Sequence, residues 1–272
     1  MKNPIKIVIF GQYKTGTTAL FYKIRPSLPE NCRELFEQTV YKEESGDNNR
    51  YVLAKTILGL PTPDFNPDYY SFFCFDKKLL LIRDPRDWLI SSLLFLIQQE
   101  RNIWANDANL NYLIGLFEEK EKNPHAISVR SLLEAVITTG NFPPLMHTMK
   151  YLEDRFAWLL SFELLLEDYL VVRYEDLVDD TLGEMDQYLG LTSKGEAIVP
   201  EVYSHVPRTK HYGNWRHWFV KEDCDFFRPL FQPYIKHYSY PSAWEISENP
   251  AINPEHCSAY IRRVTARRRR EL

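Results

Sequence analysis

The sequence predicts an α/β fold around a central parallel sheet, and three observations predict it. Short, continuous apolar runs of the kind buried on both faces recur along the chain. Amphipathic helical stretches with start and stop signals alternate with them. Polar, cation-bearing loops follow the strands, at the ends where ligands of parallel sheets bind.

The elements follow in order. Residues 5–10, IKIVIF, are an apolar, β-branched run and the first strand. The loop GQYKTG follows, and TTALFYKIR opens a helix. RYVLAKTI (50–57) and KKLLLIR (to residue 83) are two further strands, the second suited to a central position. DPRDWLISSLLFLIQQERNIW reads as one helix, with Asp84 and Pro85 in cap and first-turn positions. Residues 101–166 are expected to form a helical insertion that lids the site or binds an acceptor, and LPTPDFNPDYY (60–70) a loop beside it. DYLVVRYED (168–176) is a last buried strand, followed by a helix that Gly190 stops.

Composition sets the class. At 272 residues, 44% hydrophobic and 14% aromatic, the chain is long enough to bury an ample core, and it is expected to be one domain over 1–272. Cys32, Cys74, Cys224 and Cys257 are scattered without metal or disulfide spacing, which suits reduced thiols and a cytoplasmic location. The first residues read as a strand and not as a signal peptide. The most apolar stretch, WLISSLLFLI, is about half of what a bilayer requires, so no transmembrane segment is expected. Net charge is −4, yet residues 262–270 carry six arginines. This basic tail (262–272) is expected to be flexible and solvated, and no nucleic-acid partner is expected.

Three clusters carry chemistry. In the loop, Lys14, Thr15, Gly16, Thr17 and Thr18 lie between a strand and a helix, where backbone N–H groups and the helix N-terminus cradle anions. The lysine of an ATP-type phosphate loop follows the second glycine; here it precedes it by two residues, and Thr17 occupies the expected place. The strands LLLIR and LVVR end in Arg83 and Arg173, where a Mg²⁺-dependent enzyme would place an aspartate. Arg83 and Ser91, eight residues apart, form the second cluster, and PRTKHYGNWRHWF (207–219) the third. Taken singly, each is also compatible with an ordinary turn, ion pair or surface loop.

In this order the clusters resemble the sulfotransferases that use 3′-phosphoadenosine 5′-phosphosulfate (PAPS), over about residues 5–235. YKTGTT resembles that family's 5′-phosphosulfate loop P-K-[ST]-G-T-[TS], with Tyr13 in place of proline. Arg83 and Ser91 resemble its 3′-phosphate pair, Tyr174 of RYEDL a residue near the adenine, and RTKHYGNW its late R-K-G-x-x-G-D-W motif through Arg208 and Gly213. The resemblance implies a three-layer, P-loop NTPase-like fold and PAPS as co-substrate without a metal. It also implies in-line sulfuryl transfer to a hydroxyl or amine of a small-molecule, carbohydrate or lipid acceptor. Ala19 stands where many cytosolic members stack adenine on tryptophan, and Ile57 follows Lys55–Thr56 where they carry a catalytic histidine. A K-x-x-x-T-V-x-x-x-E signature is not met at 216–225, so the bacterial and carbohydrate-type branches fit better.

Lys14 is expected to meet the oxygen released as the sulfuryl group departs. For the base, Glu34 and Glu37 are the candidates, on one helical face if the segment is helical and suited to base work if buried, with Glu37 preferred. A Mg²⁺-dependent kinase and a non-catalytic protein that binds 3′-phosphoadenosine nucleotides are the rival readings.

Overall fold

The computed structural model describes residues 4–44, 50–62, 65–193 and 211–270. The chain divides into two compact units: residues 1–83 with 157–201, and residues 84–156 with 202–272.

The first unit is built on five parallel strands: β1 (Ile5–Gln12), β2 (Arg33–Phe36), β3 (Tyr51–Leu58), β4 (Lys77–Ile82) and β5 (Tyr169–Arg173). Their order in the sheet is β2-β3-β1-β4-β5. β1 is central because Ile7, Val8, Ile9 and Phe10 are all fully buried, so neither face meets water. One face packs Ile7, Ile9, Leu53, Leu79 and Leu81 against Leu20, Phe21 and Ile24 of α1 (Thr17–Ile24), and against Met185 and Leu189 of α8 (Gly183–Leu189). The other face places Phe10 edge-on to Phe72 and Phe162. Gly190 stops α8 in the left-handed conformation, as expected.

Several elements differ from the sequence reading. The 30–38 segment holds no helix: it supplies edge strand β2, in register with β3 so that Phe36 pairs with Lys55 and packs on Phe21. The strand expected to run to residue 176 stops at Arg173, and YEDLV forms α7 (Tyr174–Val178). Glu175 and Asp176 sit in its first turn, where carboxylates favour a helix N-terminus. The helix expected over 84–104 breaks at Glu100. Its backbone leaves the helical region, and its side chain caps the next helix by accepting from the Asn102 N–H at 3.0 Å.

The second unit is helical: α2 (Pro85–Gln99), α3 (Arg101–Trp104), α4 (Asp107–Lys122), α5 (Val129–Gly140), α9 (Trp215–Trp218), α10 (Lys221–His237) and α11 (Ser258–Arg270), with the first part of α6 (Leu145–Glu163). The expected flexible tail is instead ordered helix as far as Arg270. Tyr260, Ile261 and Val264 of α11 are buried, and arginines of the same helix reach acidic partners: Arg262 to Glu118 at 2.6 Å, Arg269 to Asp107 at 2.7 Å. Apolar residues three and four apart among the arginines give the stripe that holds the helix down. Among the described residues, no helix is long and apolar enough to cross a membrane.

Two buried charges brace this unit. Asp223 is fully buried and accepts the N–H groups of Val129, Arg130 and Val220, capping α5 and α10 together. Lys120, also fully buried, donates to the carbonyls of Pro124 and Ile127. Burial lowers its pKa from 10.5 to about 8, against the opposing pull of Asp223. Below about 8 the ammonium is charged in both states and its desolvation opposes folding. Between about 8 and 10.5 the unfolded chain binds the proton that the folded chain has released, so stability rises with pH. The expected gain is up to about 3 kcal/mol. Urea unfolding of the wild type and Lys120→Met at both ends of this window measures it: the wild type should gain stability relative to the variant as pH rises, and parallel profiles would refute the assignment.

Candidate functional site

The phosphate loop of the first unit takes its shape from steric necessity at two glycines. A Cβ at Gly11 would lie 2.6 Å from Thr17 Cγ2 and 3.0 Å from the Leu81 carbonyl. At Gly16, φ is 95°, and a Cβ would lie 2.6 Å from the ring of Tyr174. Lys14 also has a left-handed backbone, with φ 65°. Two left-handed residues in three positions curl the chain and turn its N–H groups inward. Gly16 is the N-cap of α1 and no side chain caps that end, so the first-turn N–H groups of Thr17 and Thr18 point out of the helix without an intrahelical partner. The five loop residues expected to bind phosphate therefore form one cradle.

Their roles differ in detail. Thr15 is buried and its hydroxyl donates to the Gln12 carbonyl at 2.6 Å, so it ties the loop and leaves anion contact to its neighbours. Thr18 accepts from the ammonium of Lys55 at 2.9 Å, which leaves its own O–H to point elsewhere. Arg83 sits just beyond β4. Its Nη1 donates to the Lys14 carbonyl at 3.0 Å and its guanidinium lies 4.3 Å from the centroid of the Tyr174 ring. Arg83 is 9% exposed and its Nε has no protein partner among the described residues, so donor capacity is left over at the loop. Tyr174, the first residue of α7, thus touches both Gly16 and Arg83.

Lys55 is the residue that sequence reasoning passed over. It lies inside β3 and is fully buried; its ammonium is 2.6 Å from Glu37 Oε1 and 3.9 Å from the centroid of the Phe36 ring. A lysine within the otherwise apolar run VLAKTIL was the available signal, since such a charge has to find a partner. Glu37 follows β2 with φ 56°, a left-handed conformation that is strained outside glycine. The helix on which Glu34 and Glu37 would share a face is absent, and their side chains are 40% and 53% exposed. Glu34 pairs with Arg25 at 2.5 Å, while Glu37 shares Lys55 with the loop helix.

Ser91 and Gly213 belong to the second unit. Ser91 is half-buried on α2, and Gly213 makes a left-handed turn, φ 76°, whose N–H donates to Asp87. Arg208 lies outside the described residues. Among the described residues no cluster of His, Cys, Asp or Glu has the makings of a metal site.

No protein-family model matches the chain, and no curated protein does. Among solved structures it is similar to mouse sulfotransferase SULT7A1 complexed with PAP, at 14% identity and TM-score 0.48, covering 87% of this chain and 89% of that one. It is also similar to retinol dehydratase in complex with androsterone and inactive cofactor PAP, at 13% identity and TM-score 0.42, covering 87% and 82%. The same enzyme in a complex with retinol and PAP matches at 13% identity and TM-score 0.43, with the same coverage.

Gly16→Ala should destabilise the protein by about 1–3 kcal/mol, from a strained φ and a clash with Tyr174. Adding Tyr174→Ala should remove the clash but not the strain, so a double-mutant cycle should show positive coupling. Strictly additive losses would mean that the ring does not set the identity of residue 16.

Proposed function

We propose that the protein is a PAPS-dependent sulfotransferase, moving the sulfuryl group to a hydroxyl or amine of a small-molecule, carbohydrate or lipid acceptor. The observation that carries this reading is the cradle itself. An uncapped helix N-terminus, a left-handed lysine two residues before Gly16, and an arginine braced on the loop lie together in one segment suited to an anion, with arginine at the strand end where a nucleotide triphosphatase needs metal ligands. The residues present fit a phosphosulfate: a compact anion close to the loop, held without a metal bridge.

When bound, PAPS supplies a sulfuryl group already activated by its bond to the 5′-phosphate. Backbone N–H groups of Gly16 to Thr18 and the Thr18 hydroxyl hold the phosphosulfate in line with the acceptor. Lys14 neutralises the charge that grows on the 5′-phosphate oxygen as the S–O bond breaks. Arg83, Ser91, Arg208 and Gly213 bind the 3′-phosphate, and Tyr174 supports the adenine side. Glu37 takes the proton of the acceptor as the new O–S or N–S bond forms, its carboxylate steadied by Lys55 next to Thr18. Glu34, committed to Arg25, is a weaker candidate for that step. The helices of 101–166 carry acceptor-binding residues.

Adenosine 3′,5′-bisphosphate without metal should raise the melting temperature more than ATP with Mg²⁺; the reverse preference would indicate a kinase. Transfer from labelled PAPS to pooled hydroxylated acceptors should fall about 10²–10³-fold in Lys14→Ala. Binding with no transfer to any acceptor would favour a nucleotide-binding protein without catalysis. Glu37→Gln should lower kcat about 10²–10⁴-fold while bisphosphate affinity holds. An unchanged kcat removes Glu37 from the chemistry.

A further inference from the structure

The motif RDPRDW does more than supply Arg83. Asp84 caps α2 and pairs with Arg86 at 2.6 Å, and Pro85 takes the first helical position. Arg86, 1% exposed, places its guanidinium 4.2 Å from the ring of Trp215 and 5.2 Å from that of Trp244, and donates to the carbonyls of Pro241 and Ala243. Asp87, 3% exposed, accepts the N–H of Gly213 at 2.5 Å through one oxygen and that of Trp215 at 3.0 Å through the other. One carboxylate therefore holds both ends of the Gly-Asn-Trp turn.

Ser91 lies four residues beyond Asp87 on α2, on the same helical face and one turn away. The turn anchored by Asp87 is thereby pinned beside the face that presents Ser91. Among the described residues nothing lies within 4 Å of where a Gly213 Cβ would stand, which leaves room for a ligand beside the turn.

We propose that Asp87 is a positioning residue that sets the preference for a 3′-phosphorylated nucleotide, by holding the Gly213 turn in register with Ser91. The inference rests on the sulfotransferase reading and goes beyond it by assigning the 3′-phosphate preference to a residue that does not touch the nucleotide. Electrostatics alone gives the opposite expectation. A buried carboxylate one turn from a phosphate repels it, so removing the charge should tighten binding if Asp87 had no positioning role. Asp87→Asn keeps one acceptor oxygen but turns an NH₂ group toward a backbone N–H, which frees one end of the turn.

Titration calorimetry on the full chain compares adenosine 3′,5′-bisphosphate with adenosine 5′-monophosphate. In Asp87→Asn the Kd for the bisphosphate should rise about tenfold or more, as for loss of a charge-assisted hydrogen bond. The Kd for the monophosphate should move less than about twofold, because it lacks the 3′-phosphate that the turn would meet. Equal weakening of both nucleotides would reveal a merely structural role, and unchanged or tighter bisphosphate binding would overturn the proposal outright. A wild type that does not prefer the bisphosphate would overturn the sulfotransferase reading and this inference with it. Should Asp87→Asn not fold, Asp87→Glu keeps the charge and both acceptors but displaces the turn by one methylene, and the same criteria apply.

Discussion

The contact between residue 16 and the ring of Tyr174 is the constraint from which the first unit's site follows. The ring lies where a side chain at position 16 would be, so the loop can close over α1 only with glycine there. The same ring carries the guanidinium of Arg83 on its face, and Arg83 in turn holds the carbonyl of Lys14. The left-handed backbone at Lys14 and Gly16 is thus supported by one aromatic ring and one cation. The consequence is a row of first-turn N–H donors set in place by the loop's own geometry.

A second buried cation extends this frame across the sheet. Lys55 would be costly inside β3 if it stood alone, because desolvating an ammonium without a partner costs several kcal/mol. Neighbours among the described residues explain its presence: the Glu37 carboxylate, the Thr18 hydroxyl and the face of Phe36. The left-handed backbone at Glu37 lets the chain leave the edge strand and return its carboxylate to the lysine. Arginine at position 55 would have to place a planar fork where a compact ammonium now fits. In the second unit, buried charge is used differently. Asp87, Asp223 and Arg86 each saturate backbone groups of distant segments, so their hydrogen bonds organise loops and helix ends and not a reacting centre.

How much of this was readable in advance depended on the range of the interaction. β1, β3, β4, the phosphate loop and the Gly190 stop were legible because each rests on local pattern: a continuous apolar run, a glycine at a forced φ, or a cap. Edge strand β2 was not, since RELF has no strand periodicity of its own and becomes a strand by pairing with β3. The arginine-rich terminus misled for a related reason. Its composition is that of a solvated tail, and only the acidic residues of α4, more than a hundred positions earlier, together with its apolar stripe, make a helix of it.

By itself, then, the sequence determined β1, β3, β4, the tight glycine loop that follows β1 and the absence of the lysine that an ATP-type loop requires, because these follow from neighbours within a few residues. The tertiary structure decided which charges meet. That Lys55 belongs with Glu37 and Thr18, that Tyr174 dictates glycine at position 16, and that Asp87 holds the turn at Gly213 are facts of through-space distance. Side chains 18, 158 and 126 positions apart in the chain carry no local trace of one another.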